Sequence, residues 1–392
     1  MHCQKTKTKR DMKRTLFLML CAAAPAVFHA QTTPERIQSP IICEKDSAYY
    51  SRQTEAWKAA VSARPTDEEA WRNYYRAAWY KRWYDERDTT SAIVFREMQR
   101  AVPDSYIYYY AGYREQQGNE ASHRFAEEAI KRLPTNKSFE EYDIWTGYLA
   151  MRGDEKRLAE LCKQYYESGN YPSDILQYNY NELQGMDNGG IYIGNGDAIL
   201  IPKWLLQHGK GVHQDKIIVA FSFLAIPEYC EKLFQKLDIG DVPPSPQQFN
   251  TMQEYDNYLN SVVDTIIRRS GRSVYFSPLN TEDAFKPWAE RLYNEGLLLK
   301  YSSTKYDNMS VKRRNVEQRY LMEYLIESFS PTNWSSANNL SANYAVMLAD
   351  LLAYYKRNDT QRYKWLMRTL ICAVNRTDFS QEKKNQYLNL LQ

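Results

Sequence analysis

GIYIGNGDAILIPKWLLQHGKGVHQDKIIVAFSFL, residues 190–224, contains the pattern that best indicates the fold class. Residues 190–194 and 216–224 are mostly apolar, which is typical of short buried strands. Between them we predict a helix from Ile201 to Gln207, begun by Pro202. A strand, a helix and a strand within so few residues predict a parallel crossover.

Five more elements follow and enlarge the same unit. The patterns predict helices at 227–237, 252–266 and 282–295, the last ended by Gly296, and strands at 273–276 and 297–301. A proline-rich linker at 241–246 separates the first two of these helices. Residues 173–305 are therefore predicted to form a small α/β domain with a parallel, Rossmann-like sheet.

Upstream, residues 31–172 are predicted to form tetratricopeptide-like helical repeats. Prolines at 65, 103, 134 and 172 close successive helix pairs, and their separations bracket the ~34-residue period of such repeats. Ala60 and Ala129 each stand five residues before one of these prolines, and Trp71 opens the next helix. Small residues allow neighbouring helices to approach, and a large aromatic side chain fills the remaining gap.

Downstream, residues 306–392 are predicted to form a C-terminal helical domain. Apolar residues recur at helical spacing from Val316 to Phe329, from Tyr344 to Tyr355 and from Tyr363 to Val374. The predicted fold class is therefore mainly α, with helical repeats, an inserted small α/β unit and a C-terminal helical segment.

Residues 1–30 are predicted to be a secretory signal peptide. A basic stretch leads into the apolar run from Leu16 to Ala24, which is shorter than a membrane-spanning helix, and small residues end at Ala30. A lipoprotein processed at Cys21 is the alternative. Removing this leader changes the formal net charge from +3 to −2, so no cationic surplus favours nucleic acid. We expect an exported protein, periplasmic or associated with the cell envelope, with no membrane span in the mature chain.

The sequence contains no recognisable catalytic set. Four widely spaced cysteines remain after the leader, either as buried free thiols or as disulfides: Cys43, Cys162, Cys230 and Cys372. His208, His213 and Asp215 lack the one-face spacing of a helical metal-binding pair. There is no Gly-rich phosphate loop, nucleophile elbow or CxxC motif. We therefore predict no catalytic residues, cofactor or metal, and favour a protein that is not an enzyme.

The best local candidate for a ligand site is Asn195-Gly196-Asp197, which follows the first predicted strand and precedes a helix. Ligands of open parallel sheets bind beyond the carboxyl ends of the strands, where free N–H groups converge. There, Asp197 can hold a hydroxyl, a cation or a water molecule. In the alternative interpretation, Gly196 supplies a positive φ and Asp197 accepts N–H bonds within the turn.

Aromatic residues are concentrated in the predicted repeats. Tyr75 and Trp79 belong to one cluster, and Tyr109 and Tyr113 belong to a second. Aromatic side chains on the concave face of a helical array suit contact with a peptide or a glycan. We predict these four as a partner-binding surface, and core packing is the alternative because adjacent tyrosines must point in different directions.

The segment from Asn195 to Gln207, with residues 211–215 and the strand from Lys216, resembles part of the periplasmic C-terminal tail of Bacteroidetes protein O-mannosyltransferase-like membrane glycosyltransferases. Residues 272–276 and 295–297 are also similar to that tail. Trp204 and Gln207 match its Pro-x-Trp-x-x-Gln helix and complete our candidate ligand site. The resemblance implies no transferase activity, because that chemistry is attributed to the family's membrane-embedded part.

These patterns favour an exported, non-catalytic binding or scaffolding protein whose repeats engage a protein partner in the cell envelope. The alternative is a ligand-binding protein or an enzyme that uses the crevice at Asn195-Gly196-Asp197. Its ligand would be a glycan or a molecule similar to a nucleotide sugar.

Overall fold

The computed structural model describes residues 33–117, 120–246, 248–279, 285–328 and 334–392. The predicted signal peptide lies outside these residues. The chain divides into two compact units. Of the described residues, 33–37 and 45–126 belong to unit 1, and 38–44 and 127–392 belong to unit 2.

Unit 1 is built from consecutive helices. They are α1 (Ser47–Ala63), α2 (Glu68–Lys81), α3 (Thr90–Ala101), α4 (Tyr106–Glu115) and the first half of α5 (Glu120–Lys131). Asp46, Asp67 and Ser105 cap the first, second and fourth of these helices by accepting a backbone N–H bond from the first turn. Each of the first three helices packs on the next along the chain, and Tyr108 of α4 contacts Phe125 of α5. Their assignment to tetratricopeptide repeats stays a prediction.

Unit 2 begins and ends with helices and contains the sheet between them. Before the sheet come α6 (Phe139–Met151), α7 (Glu155–Glu167) and α8 (Ser173–Gly185). Within the α/β part lie β1 (Ile191–Gly194), α9 (Asp197–Trp204), β2 (Ile217–Ala220), α10 (Pro227–Leu237), α11 (Met252–Arg269), β3 (Val274–Phe276), β4 (Leu292–Asn294) and β5 (Leu299–Tyr301). After it come α12 (Asn308–Arg314), α13 (Glu323–Ile326), α14 (Ser335–Leu340), α15 (Asn343–Asn358), α16 (Thr360–Asn375) and α17 (Gln381–Asn389).

The sheet has the strand order β2-β1-β3-β5-β4. β1 pairs in parallel with both β2 and β3, as the crossover pattern predicts. β5 is antiparallel to β3 and β4 is antiparallel to β5, so the sheet is mixed. One of its faces packs on α10 and α11 through apolar side chains that include Ile193, Phe276 and Val262. The predicted fold class, mainly α with a small α/β unit inserted, is confirmed.

Pro202 lies inside α9 rather than at its start, so our predicted beginning of this helix is wrong. A proline inside a helix has no N–H to offer the carbonyl four residues earlier, which here belongs to Ala198. The Asn179 side chain replaces that donor, because its Nδ2 lies 3.2 Å from the Ala198 oxygen. The helix can therefore begin at Asp197 and continue through Pro202 into a π turn at Leu205–Gly209.

The predicted helix at 282–295 is also wrong over its described part. Residues 280–284 lie outside the described residues, Lys286–Arg291 forms a 3₁₀ turn, and β4 follows. Gly296 has φ +132° and connects β4 to β5 in a hairpin. The apolar stripe from Val316 was predicted as one helix, but a π turn at Asn315–Arg319 and the short α13 replace it.

Acid is expected to weaken the sheet at Asp187. This carboxylate accepts hydrogen bonds from Lys300 (2.6 Å) and Ser273 (2.8 Å), and together these outweigh burial and lower its pKa to about 2. Because this pKa lies below its value of 3.8 in the unfolded chain, the contribution to stability is complete above pH 4 and is lost as the pH falls towards 2.

The Asp187 side chain is 44% exposed, so we expect the loss to be only about 1 kcal/mol. This loss is measured by urea unfolding of the wild type and of Asp187→Asn between pH 5 and pH 2.5. The difference in stability between the two chains should shrink as the pH falls. A difference that is constant over this range would contradict the assignment.

Candidate functional site

Asn195, Gly196 and Asp197 form an exposed loop between β1 and α9. Gly196 precedes the helix with φ +102°, a conformation that favours glycine. The Asn195 side-chain oxygen accepts a hydrogen bond from the Ser222 hydroxyl at 2.8 Å. Asp197 is the first residue of α9, where a negative charge interacts favourably with the helix dipole. These contacts explain the loop's shape, and whether it also holds a ligand stays a prediction.

Trp204 and Gln207 lie away from this loop, at the other end of α9 and in the π turn. Both are buried, with 6% and 7% of their surface exposed. The Gln207 amide nitrogen donates to the carbonyl oxygens of His213 and Lys216, each at 2.8 Å. The five residues predicted as one ligand site therefore fall into two places, and the Gln207 side chain holds the chain that leads into β2.

Trp204 and Gln207 instead line a cavity of about 590 Å³, which we call the β2 groove. Its walls are formed by strand β2, by the end of α9 and the π turn, by α10, and by the turn between α6 and α7 with the start of α7. The apolar part of the lining includes Leu158, Trp204, Ile218, Tyr229 and Leu233. A volume between ~300 and ~1,000 Å³ is typical of sites for small ligands.

Charged side chains stand around the β2 groove. Lys216, Lys232 and Lys236 line it together with a single carboxylate, Glu155. His208 also lines it, and burial lowers the pKa of this imidazole, which favours its neutral form. The groove can therefore offer apolar area, a neutral donor and acceptor, and three ammonium groups.

Contacts across one rim of the groove tie the turn between α6 and α7 to α10. Lys236 donates to Glu155 at 2.7 Å, and Lys232 donates to the Arg152 carbonyl oxygen at 2.7 Å. Arg152 in turn pairs with Glu228.

Around His213 the neighbouring charged groups have structural partners, whereas the buried Nε2 of its imidazole has no hydrogen-bond partner among the described residues. Asp215 accepts from the Gly189 N–H at 2.9 Å and from Lys216 at 2.7 Å, which together lower its pKa despite partial burial. The His213 ring contacts Tyr180, and burial lowers the imidazole pKa. Within the described ranges, no three His, Cys, Asp or Glu residues are arranged to hold a metal ion. Cys43, Cys162, Cys230 and Cys372 are all free thiols.

Sequence reasoning missed a buried ion pair between Lys203 of α9 and Glu182 of α8. The ammonium lies 2.5 Å from the carboxylate, and both side chains are fully buried. It also donates to the Asn179 side chain and to the Ile199 carbonyl oxygen, and it lies 4.1 Å from the centre of the Tyr192 ring. Burial raises the pKa of Glu182 and lowers that of Lys203, and the pairing opposes both shifts. The available signal was one lysine within the apolar run 198–206.

In unit 1, the four predicted surface aromatics differ in exposure. Tyr75 is 1% exposed, donates to Glu115 at 3.0 Å and stacks on Trp79, so it belongs to the core and not to a surface. Trp79, Tyr109 and Tyr113 are half-buried. The guanidiniums of Arg82 and Arg114 lie 4.9 and 4.4 Å from the Trp79 ring. These distances are typical of cation–π contacts.

Two further aromatics are more exposed than those we predicted. Trp83 is 57% exposed and Tyr84 is 47% exposed, directly after the end of α2. Trp83 rests on the ring of buried Tyr80, with centroids 5.3 Å apart, and the Tyr84 hydroxyl donates to the Lys45 carbonyl oxygen. We call Trp79, Arg82, Trp83 and Tyr84 the aromatic end of α2.

No family model, curated protein or solved structure matches this chain. The resemblance to the glycosyltransferase tail stays a prediction. Over the described residues, every helix falls short of the length and apolar content required to span a bilayer.

Proposed function

We propose that this chain is an exported, non-catalytic binding or scaffolding protein that engages a protein partner through its helical unit 1. The observation that carries the proposal is the aromatic end of α2. It presents Trp83 and Tyr84 beside a half-buried Trp79 that contacts Arg82. Trp, Tyr and Arg are the residues most enriched at energetic centres of protein interfaces.

Contacts with the core hold two of these side chains in place, which strengthens the proposal. Trp79 stacks on buried Tyr75, and Arg82 lies 3.4 Å from Glu115, so both are held by the core before any partner arrives. Side chains that are already ordered lose less entropy on binding. Half-buried Tyr109 and Tyr113 on α4 offer further aromatic area in the same unit.

Replacing Trp83 by alanine is expected to weaken capture of the partner. Purified wild-type chain, Trp83→Ala and a matched control, Trp365→Ala, serve as baits for envelope extract, and the bound proteins are quantified by mass spectrometry. Trp365 lies on α16 in unit 2 and is 40% exposed, so its removal deletes a comparable exposed indole elsewhere. We expect Trp83→Ala to reduce the partner's recovery about tenfold or more.

The same experiment can refute the proposal. If no protein is enriched by the wild type, or if Trp83→Ala and Trp365→Ala recover the same amount, the aromatic end of α2 is not the partner site. Melting temperatures of both variants within a few degrees of the wild type show that lost capture is not lost folding.

A further inference from the structure

We propose that the β2 groove binds a short acidic peptide in an extended conformation, which pairs its backbone with Ile218 at the open edge of the sheet. This site lies wholly in unit 2 and does not depend on the partner site proposed for unit 1. Three features carry the inference: the unpaired position on the edge strand, the shape and lining of the groove, and its charge.

The edge strand leaves one residue without a backbone partner. β2 is the last strand on its side of the sheet. The Ile217 N–H donates to the Gly190 oxygen at 3.0 Å, so residues 217 and 219 face β1. In a parallel ladder the residue between them directs its N–H and C=O outwards. Within the described part of the chain, no hydrogen bond reaches either group of Ile218.

On both sides of Ile218, the outward backbone groups already have partners. The Lys216 carbonyl oxygen accepts from the Gln207 side chain at 2.8 Å. The Ala220 N–H donates to the Tyr229 hydroxyl at 3.2 Å. Side chains thus occupy the two ends of the edge and leave a gap that fits one peptide residue. Half-buried N–H and C=O groups normally have partners, and strand addition is a common way for a bound peptide to supply them.

The walls around Ile218 suit the side chains of such a peptide. Leu158 of α7 and Trp204 of α9 line the groove, as do Tyr229 and Leu233 of α10. An extended peptide directs alternate side chains to opposite faces, so it can use both walls while its backbone follows β2. A cavity of about 590 Å³ suits a few residues and excludes a folded domain.

The lysines of the groove can bind carboxylates on the peptide. Three lysines line the groove against one carboxylate. Each lysine also has a protein carboxylate nearby: Asp215 at 2.7 Å for Lys216, Glu228 at 3.4 Å for Lys232 and Glu155 at 2.7 Å for Lys236. In the last two pairs both partners are about half exposed, so a peptide carboxylate can exchange with the protein's own.

Peptide titrations test the proposal on the full-length chain. The probe is a capped hexapeptide of alternating Val and Glu, and its Val–Lys analogue is the charge control, with binding followed by isothermal titration calorimetry. We expect saturable binding of the Val–Glu peptide that weakens as salt is added, and at least about tenfold weaker binding of the Val–Lys peptide. Failure of the Val–Glu peptide to bind, or equal binding of both peptides, overturns the proposal.

Backbone pairing is tested separately on the peptide and on the protein. Two Val–Glu peptides are used, one N-methylated on its odd-numbered residues and one on its even-numbered residues. Their affinities should differ, because only one of them lacks the N–H that faces Ile218. Ile218→Pro removes the outward N–H but leaves the bonds to β1 intact, since an edge strand tolerates proline at such a position. We expect Ile218→Pro to bind the Val–Glu peptide about fivefold more weakly, because one hydrogen bond is lost and the proline ring crowds the peptide. Equal binding of both methylated peptides rejects strand pairing, even if Ile218→Pro fails to fold.

The lysines are tested with a matched pair of double variants. Lys232→Gln/Lys236→Gln removes two charges at the groove, and Lys383→Gln/Lys384→Gln removes two from α17, where Lys383 is exposed and Lys384 is half-buried. The first should bind the Val–Glu peptide about fivefold more weakly and lose part of the salt dependence. The second should bind like the wild type. Equal affinities of the two variants overturn the assignment of the groove as the site.

Discussion

Lys203→Met is expected to lower the free energy of unfolding by about 3–5 kcal/mol, one of the two largest effects we expect in this protein. The substitution leaves the Glu182 carboxylate at zero exposure without its cation. It also removes the donor to the Asn179 side chain and the Ile199 carbonyl oxygen. A buried acceptor without a donor bears its full desolvation cost. Urea unfolding followed by circular dichroism measures the change.

Two comparison variants isolate the cause. Lys203→Met/Glu182→Leu removes both charges, so it should recover a large part of the loss, because a buried ion pair contributes little more than an apolar pair of similar size. Lys236→Met breaks a pair with Glu155 in which both partners are about half exposed, and should cost less than about 1 kcal/mol. If Lys203→Met costs no more than Lys236→Met, the pair is not the buried link that we describe.

Gly296→Ala is expected to destabilise the chain by about 2–6 kcal/mol. Gly296 has φ +132°, where an L-residue is strained by about 1–3 kcal/mol. An added Cβ would also overlap the Tyr320 hydroxyl, which accepts the Leu297 N–H at 3.1 Å. Moving Tyr320 away leaves that buried N–H without a partner, at a further cost of about 1–3 kcal/mol. Thermal and urea unfolding measure the sum.

Alanine substitutions at two other glycines separate the cost of backbone strain from the cost of steric overlap. Gly169 has φ +65° with nothing within 4 Å of an added Cβ, so Gly169→Ala should show only backbone strain, about 1 kcal/mol. Gly185 has no positive φ, but its Cβ would lie 2.7 Å from the same Tyr320 hydroxyl, so Gly185→Ala should show mainly overlap. Gly296→Ala should exceed both. A Gly296→Ala chain that is as stable as Gly169→Ala would contradict this account.

These two sites connect the parts of unit 2. The Tyr320 hydroxyl lies between the end of α8 at Gly185 and the β4–β5 hairpin at Gly296, and Lys203 joins α9 to α8. The helices before the sheet, the crossover and the segment after the sheet are therefore held together by a few buried polar contacts. We expect the β2 groove, whose walls include α9 and its π turn, to be rigid for this reason.

Much of the fold could be predicted from the spacing of apolar residues, because this spacing shows which face of a helix or strand is buried. The apolar runs at 190–194 and 216–224 contain β1 and β2, and the spacing of Met252, Tyr255 and Leu259 gave α11 at its observed start. The local pattern gave a wrong prediction where a side chain distant in sequence determines the local structure. Asn179 satisfies the carbonyl that Pro202 leaves free, and no feature within 197–209 indicates this.

The candidate sites were harder to predict than the fold. Asn195 and Asp197 could be placed at the end of β1 because strand ends are local features. Gln207 was chosen with them, although its amide binds two backbone oxygens of its own loop. The β2 groove depends on which strand forms the edge of the sheet and on the approach of α7 and α10, which are properties of tertiary structure. The sequence also did not show that Tyr75 is buried and Trp83 is exposed, because exposure depends on neighbours distant in sequence.

Photo-crosslinking in the native host tests most directly the central claim, that unit 1 engages a protein partner through the aromatic end of α2. A photoreactive phenylalanine analogue is placed at position 83 in one chain and at position 365 in another, and the envelope is irradiated. We predict one dominant adduct with another protein at position 83 and none at position 365. No adduct at position 83, or the same adducts at both positions, would contradict the claim.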